Sequence, residues 1–493
     1  MEGSSVDNKS TQLEKFSRVP FDFSHLDRKP IWEYVIQRIE DYLSNTDHLK
    51  VSPALDLERI RKVASRYTFD EPKDLKEVID YIIQSLEQFT VHTPHPHYMG
   101  LFNPRTTYPS MLGDLIAAVY NPQMAAWSHA PFPNEVELYI IKSFGEKVGY
   151  DNHDVDGVFT SGGAEANLTA LQAALNAQFP AWSSTGIRGL EKSPVFYVSE
   201  ESHHSFVKAA TICGLGREAV RIIPADDNQA MDVKVLDNTV RRDVRMGKAP
   251  FLIVATLGTT GSGGIDPVEA IYSLCKEFNL WLHADAAWAG VLTISSKYKH
   301  LLGPIHLSDS VTIDAHKWLS VPMGAGMFIT RHNNILDISF RTQNQYMPRD
   351  AQGAEVTDPY NHSVQWSRRF TGLKVFFSLL SIGWEGYEQQ IEKDFNVGDY
   401  FRDKLKKTGW EICNHSALPV VCFRPAQNDY TQGDIVSFCK YIIKDGRMWI
   451  SVYPIQGQDC LRACITNYNT GTTEIDAIVS ILNELKIQFF NIH

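Results

Sequence analysis

The chain has 493 residues and a formal net charge of -11, with 43% hydrophobic, 21% charged and 11% aromatic residues, the balance of a globular enzyme of two or three domains. The acidic surplus and the lack of a Lys/Arg-rich tract exclude general nucleic-acid binding, and no apolar run approaches the roughly 20 residues that span a bilayer. The polar start, Met1 to Lys9, has no apolar segment of the kind a secretory signal needs. The seven scattered cysteines suit reduced thiols in a cytoplasmic protein, and Cys460 and Cys464 lack the paired spacing of a zinc site, so no metal is expected.

In chain order, residues 1 to about 28 read as a loose arm. Apolar residues at 32, 35, 36, 39 and 43 form a helical stripe, and a second helical pattern covers Leu75 to Phe89. These stripes need an apolar partner, either a second subunit or the chain's own core. A Pro/His-rich loop follows (Thr93 to Tyr98), then a turn entering a helix at Tyr108. From about 155 to 330, short apolar runs alternate with helical stretches. Val195–Val198, Phe251–Thr256, Leu280–Ala284 and Met327–Ile329 are continuously hydrophobic, as strands buried on both faces of a largely parallel sheet are. Ligands of such sheets collect at the carboxyl ends of the strands. The polar groups following these runs, around His203, Thr260, Asp285 and Lys317, are therefore expected to converge. Residues 331 to 365 are polar and aperiodic, a candidate loop. Helical patterns resume at Leu373, and strands near Val420 and Ala463 suggest a smaller C-terminal α/β domain.

Several short stretches carry chemistry. In Ser310-Val311-Thr312-Ile313-Asp314-Ala315-His316-Lys317-Trp318, a β-branched run presents a lysine beside apolar residues. Lost hydration of its charged form frees the amine as a nucleophile for an aldehyde; the bland alternative is a surface lysine beside a buried Trp. Lys208, inside a probable helix, is the weaker rival. Thr160-Ser161-Gly162-Gly163-Ala164 is a glycine turn entering a helix, where backbone N–H groups could cradle a phosphate or simply cap the helix. Asp285, after a strand and among small residues, asks for a cation or for donors, and a protonated pyridine nitrogen would serve; the alternative is a helix cap. His203 could stack on such a ring or move a proton.

The ordered motifs Ser-Gly-Gly-Ala, Ser-His-x-Ser-x-x-Lys-Ala, Gly-Thr-Thr, His-x-Asp-Ala-Ala and Asp-x-His-Lys-Trp resemble those of the group II pyridoxal-phosphate-dependent amino-acid decarboxylases, from roughly Phe21 into the C-terminal domain. The resemblance implies the aspartate-aminotransferase-like fold (fold type I): an α/β architecture with a large, mostly parallel seven-stranded sheet domain, a small C-terminal α/β domain and an N-terminal helical segment. It suggests an arm at 1–92 packing on a partner, a cofactor domain at 93–370 and a small domain at 371–493, in a homodimer with shared active sites. By position, Lys317 would form the Schiff base with pyridoxal 5'-phosphate and Asp285 would meet the pyridine nitrogen. His203 and Ala287 would cover the two ring faces. Gly163, Ala164 and His316 would lie at the phosphate, and Thr260 near the cofactor. Relatives often have Asn-Pro-His-Lys where this chain has Asp314-Ala315-His316-Lys317; an Asp repels phosphate, so Asp314 is not assigned to it.

In aromatic-type relatives a loop Tyr before Arg-Arg-Phe is implicated in protonating the substrate carbon. Tyr360, ahead of Arg368-Arg369-Phe370, is the candidate here. The segment from His95 to Leu112 is similar to the pocket-lining stretch of aromatic-amino-acid decarboxylases, with Tyr98 and Phe102 as an aromatic slot and Trp127 contributing. Asn103 and Arg105 leave open an acidic substrate (glutamate, aspartate or cysteine sulfinate), since an Arg can clamp a distal carboxylate. The expectation is decarboxylation of an aromatic L-amino acid. The alternatives are an acidic or 2,4-diaminobutyrate decarboxylase, an oxygen-using aldehyde synthase, or a non-catalytic binding relative.

Overall fold

The structure, a computed structural model, describes residues 21, 23–342, 356–426 and 432–490. The chain parts into two compact units between His95 and Pro96.

The first unit carries helices α1 (His25–Asn45), α2 (Leu57–Ala64) and α3 (Leu75–Phe89). Ser24 and Asp27 close a capping box at the start of α1, and Asp74 caps α3 by accepting from the N–H groups of Lys76 and Glu77. Tyr34 bonds Asp80 at 2.6 Å and Tyr42 meets His92 at 3.0 Å, joining α1 to α3 and to the segment after it. The apolar stripe is not sealed within this unit: Trp32, Ile36 and Ile39 stay more than two-fifths exposed.

The second unit holds both sheets. Its large sheet contains β1 (Asp156–Thr160), β2 (Pro194–Ser199), β3 (Val220–Ile223), β4 (Ala249–Thr256), β5 (Trp281–Asp285), β6 (Ser310–Asp314) and β7 (Gly326–Thr330), in the order β1-β7-β6-β5-β4-β2-β3. The pairs from β6 through β3 are parallel, and β7 runs antiparallel to both β6 and β1. This is the mostly parallel seven-stranded sheet expected from the sequence. Burial on both faces is visible along β4, where Leu252 and Val254 enter one apolar core and Ile253 and Ala255 the other. Removing such a side chain from water is worth about 1.5–3 kcal/mol, so an uninterrupted apolar run is stable only between two covered faces.

Among the described residues, the helices of this unit longer than a single turn are α4 (Tyr108–Tyr120), α5 (Pro131–Val148), α6 (Gly163–Gln178), α7 (Ser205–Ile212), α8 (Val233–Arg245), α9 (Val268–Phe278), α10 (Ile335–Phe340), α11 (Gly372–Lys407), α12 (Gln432–Asp445) and α13 (Thr472–Phe490). Helix α10 falls inside the stretch expected to be loop. Helix α11 is two helical stretches meeting at Gly383, whose φ of 70° breaks the regular path. An antiparallel sheet, β10-β11-β9-β8, is formed by β8 (Trp410–Ile412), β9 (Val420–Pro425), β10 (Ser451–Ile455) and β11 (Gln458–Cys464). The strap His97–Gly100 is stitched to it. Trp449 N–H donates to the His97 carbonyl (3.2 Å), Met99 N–H to Trp449 (2.9 Å) and Cys464 N–H to Met99 (2.6 Å), while Arg462 Nη1 donates to Gly100 (2.7 Å). The Met99 side chain is part of that sheet's apolar core.

Candidate active site

Five strands deliver polar groups to one edge of the large sheet. β1 ends at Thr160 and turns through Ser161-Gly162 into α6; β2 leads to His203 and α7; β4 leads to Gly258 and Thr260; β5 ends at Asp285; β6 ends at Asp314 and turns through His316 and Lys317. Together they line a cavity of about 260 Å³. All eight residues assigned to the cofactor (Lys317, Asp285, His203, Gly163, Ala164, Thr260, Ala287 and His316) are in its wall. The rule that parallel sheets bind at their carboxyl ends thus places them together.

Asp285 is 4% exposed and sits at the cavity floor. Its Oδ2 accepts from Asn167 Nδ2 at 2.8 Å and its Oδ1 weakly from the Ala287 N–H at 3.3 Å. Asn167, one turn into α6, was not singled out from the sequence. Because its amide nitrogen must face a carboxylate, its Oδ1 is the acceptor for Thr312 Oγ1 (2.9 Å) and His283 Nε2 (3.3 Å). His283 therefore carries its proton on Nε2 and accepts from Ser310 Oγ at Nδ1 (2.8 Å). Complete burial lowers the His283 pKa to about 3.

This makes acid sensitivity an expected result. The unfolded chain takes up a proton at His283 near pH 6.5 and the folded chain only near 3, so stability is lost as pH falls through that window. At pH 5 the loss from this group is about 2 kcal/mol relative to pH 7.5. Chemical unfolding at both pH values should show a shallower decline in His283→Gln than in the wild type; parallel declines would refute the assignment.

His203 is more than a third exposed at the rim, yet burial of its inner side holds the imidazole below the usual histidine range. Its Nδ1 accepts from the Ser205 N–H at 3.2 Å, leaving Nε2–H as the donor of the neutral ring. His316 is also lowered, by burial, and accepts from the Ala325 N–H at Nδ1 (3.2 Å). The surroundings of Lys317 differ from the apolar ones expected: its Nζ lies 3.0 Å from Asp314 Oδ2, and Asp314 is itself 3% exposed. The sequence weighed Asp314 only as a poor phosphate ligand; its place in the fold is beside the lysine.

The glycine turn is tightly confined. A Cβ on Gly163 would stand 2.8 Å from Asp314 Oδ2 and 3.5 Å from the Ala287 methyl. The first N–H groups of α6, those of Gly163 and Ala164, have no intrahelical acceptor. At Gly258, φ is 92°, and a Cβ would come 2.8 Å from Ala289 and 3.0 Å from Trp288 Nε1. Trp288 can thus lie against that backbone, donating to the Gly258 carbonyl at 2.7 Å and forming part of the cavity lining.

The remaining candidates stand outside this lining among the described residues. Phe102 is directly behind it, stacked on Trp288 at 4.3 Å and 19°, with the Arg462 guanidinium 5.1 Å from its centroid. Tyr98 is buried, stacks on Trp449 and donates to Asn103 Oδ1 at 2.8 Å. Arg105 hydrogen-bonds Tyr468. Trp127 lines a separate small cavity with Glu137, Asp156, His362 and Arg368. Tyr360 is 4% exposed, with its ring 4.8 Å from that of Trp366 and its N–H on the Ala125 carbonyl.

An amine, a buried carboxylate across from it, a small-residue wall and free helix N–H groups fit pyridoxal 5'-phosphate. With the sheet order, they define a pyridoxal-phosphate enzyme of fold type I. The sequence profile of the pyridoxal-dependent decarboxylase conserved domain matches residues 58–426. The chain belongs to that family and is a pyridoxal-phosphate-dependent carboxy-lyase acting on an amino acid. It is similar to an aromatic-L-amino-acid decarboxylase of Bacillus atrophaeus, 26% identical over 91% of this chain and 94% of the relative. It is also similar to the cysteine sulfinic acid decarboxylase of Rattus norvegicus, 29% identical over 78% of this chain and 83% of the relative. The crystal structure of Oryza sativa TDC with PLP and tryptamine superposes with a TM-score of 0.89, covering 96% of this chain and 99% of the other at 22% identity, a likeness of fold.

Proposed function

We propose that the chain decarboxylates an aromatic L-amino acid to the amine and CO2. The supporting observation is the aromatic wall: Trp288 lines the cavity and Phe102 lies flat behind it, while the Arg105 side chain is engaged with Tyr468. Stacked rings favour a flat apolar side chain, and an already bonded guanidinium is a poorer clamp for a distal carboxylate.

In this reading Lys317 would hold the cofactor through its amine. Asp285, steadied by Asn167, would keep a proton on the pyridine nitrogen. Bound pyridoxal phosphate supplies the electron-accepting ring for the pair left by the departing CO2. Gly163 and Ala164 offer N–H groups to the phosphate, with His316 and Thr260 beside the cofactor. Ala287 would pack on one ring face and His203 on the other, where the imidazole at the rim, after taking up a proton from solvent, would return one to the substrate carbon. Tyr360, the alternative donor by resemblance, is packed against Trp366 away from the cavity wall and would have to leave that packing to serve. A homodimer is supported by the apolar surface left open in the second unit, with Val119, Tyr120, Phe132 and Tyr139 each more than three-fifths exposed. A cytoplasmic setting is supported by seven free cysteines.

The test is CO2 and amine release by the loaded enzyme across the twenty amino acids, DOPA, cysteine sulfinate and 2,4-diaminobutyrate, with peroxide followed in parallel. Release from Tyr, Trp, Phe or DOPA is the expected result. Release from Glu, Asp or cysteine sulfinate alone would overturn the aromatic assignment, and peroxide with aldehyde would replace decarboxylation by oxidation.

A further inference from the structure

Helix α11 grips the turn between β6 and β7 at three points. Lys374, 1% exposed, donates from Nζ to the carbonyls of Pro322 (3.3 Å) and Met323 (2.9 Å). Tyr387 donates its hydroxyl to the Leu319 carbonyl at 3.0 Å. Asp394, fully buried, accepts the Trp318 indole N–H on Oδ2 at 2.7 Å and Gln390 Nε2 on Oδ1 at 2.8 Å. Within the same turn Ser320 is held at φ 56°, a left-handed conformation that a non-glycine residue keeps only when its surroundings impose it.

Asp394 is the costly member of the three. A carboxylate sealed from water is unfavourable without a cation, and the ammonium of the adjacent Lys393 bonds the Tyr468 carbonyl instead. Burial pushes the Asp394 carboxyl up to about 7. Core stability alone would favour an amide or an apolar side chain here. What the carboxylate does hold is the side chain next to Lys317. The Trp318 ring lies 5.5 Å from that of Trp288, so the same contact also backs the cavity wall.

We propose that Asp394 is a positioning residue for Lys317, fixing the turn that presents the amine by anchoring the Trp318 indole to α11. The inference rests on the reading of Lys317 as the cofactor-holding lysine. A displaced turn would misplace the amine, so cofactor loading and turnover should suffer together.

The experiment uses full-length protein stripped of cofactor. Pyridoxal phosphate is added and the rise of the visible absorbance of captured cofactor is timed, followed by kcat and KM. Asp394→Ala and Trp318→Phe should each slow loading about tenfold and lower kcat similarly. Asp394→Asn, whose amide oxygen still accepts the indole N–H, should stay within about twofold of wild type. The double variant Asp394→Ala/Trp318→Phe should be no slower than the worse single one, because both changes cut the same bond. Trp318→Phe, which keeps an aromatic ring, decides the matter where Asp394→Ala yields no soluble protein. Wild-type loading in Trp318→Phe, or multiplied effects in the double variant, would overturn the proposal. Wild-type capture by Lys317→Ala would instead overturn the reading of Lys317.

Discussion

Lys317→Ala is expected to abolish cofactor capture and to reduce CO2 release by about 10⁴-fold or more, the scale of losing a group that bonds covalently in the reaction. Lys317 is the lysine in the cavity wall, and its Nζ is 3.0 Å from Asp314 Oδ2. The substitution removes the amine and leaves the Asp314 carboxylate without that ion pair. Thermal stability should therefore fall at neutral pH, by up to about 3–5 kcal/mol, since removing one partner leaves the Asp314 carboxylate, 3% exposed, without its compensating charge. Visible absorbance after dialysis against pyridoxal phosphate, with CO2 release on the same sample, checks both statements. A retained band that resists dialysis would mean that another lysine captures the cofactor, and Lys208 would be the first to examine.

Asp285→Asn should give a different phenotype: cofactor still captured, turnover down by about 10²–10³-fold. The amide keeps the shape of the side chain, and its oxygen can still accept from Asn167 Nδ2. What then faces the ring is an N–H₂ group, which repels a protonated nitrogen where the carboxylate welcomes one. Losing a charge-assisted hydrogen bond also costs about 1.5–3 kcal/mol, so cofactor affinity should fall roughly 10- to 100-fold. Titration of stripped protein with pyridoxal phosphate, followed by kcat at saturating cofactor, separates the two effects. Unchanged kcat at saturation would show that Asp285 serves binding alone.

The cofactor end of the site was legible because its residues follow buried strands, and buried strands announce themselves by continuous hydrophobicity. Asp285 and Lys317 could be placed on one edge from that pattern and the behaviour of parallel sheets. Two strands of the large sheet lack this signal. β3, Val220-Arg221-Ile222-Ile223, lies at the sheet edge with Arg221 half-buried and Ile222 exposed between two buried ends, and β1 opens with Asp156-Gly157; neither is a continuous apolar run. Asn167 was illegible for another reason. An amide inside a helix gains meaning only when β5 and β6 are neighbours, which brings Asp285, His283 and Thr312 around it, and strand order is not written in local sequence. From the sequence Asp314 reads only as a residue that repels phosphate, whereas its contact is with a lysine three residues on. The residues sought for the substrate side come from the strap and loop segments, whose paths depend on distant partners.

The strap stitched to the small sheet has a consequence for how such chains diverge. Tyr98 lies within this backbone, and Phe102 follows two residues beyond Gly100, near the Arg462 that also grips the Gly100 carbonyl. Tyr98 and Phe102 are therefore passengers of the C-terminal sheet, whereas Trp288, Lys317, Asp285 and the glycine turn are fixtures of the large one. A lineage can repack around Met99, Met448 or Ile450, all of one apolar core, and nudge Phe102 without altering any residue that lines the cavity. Substrate preference could then drift by inherited changes that look neutral in an alignment, while the catalytic machinery stays still.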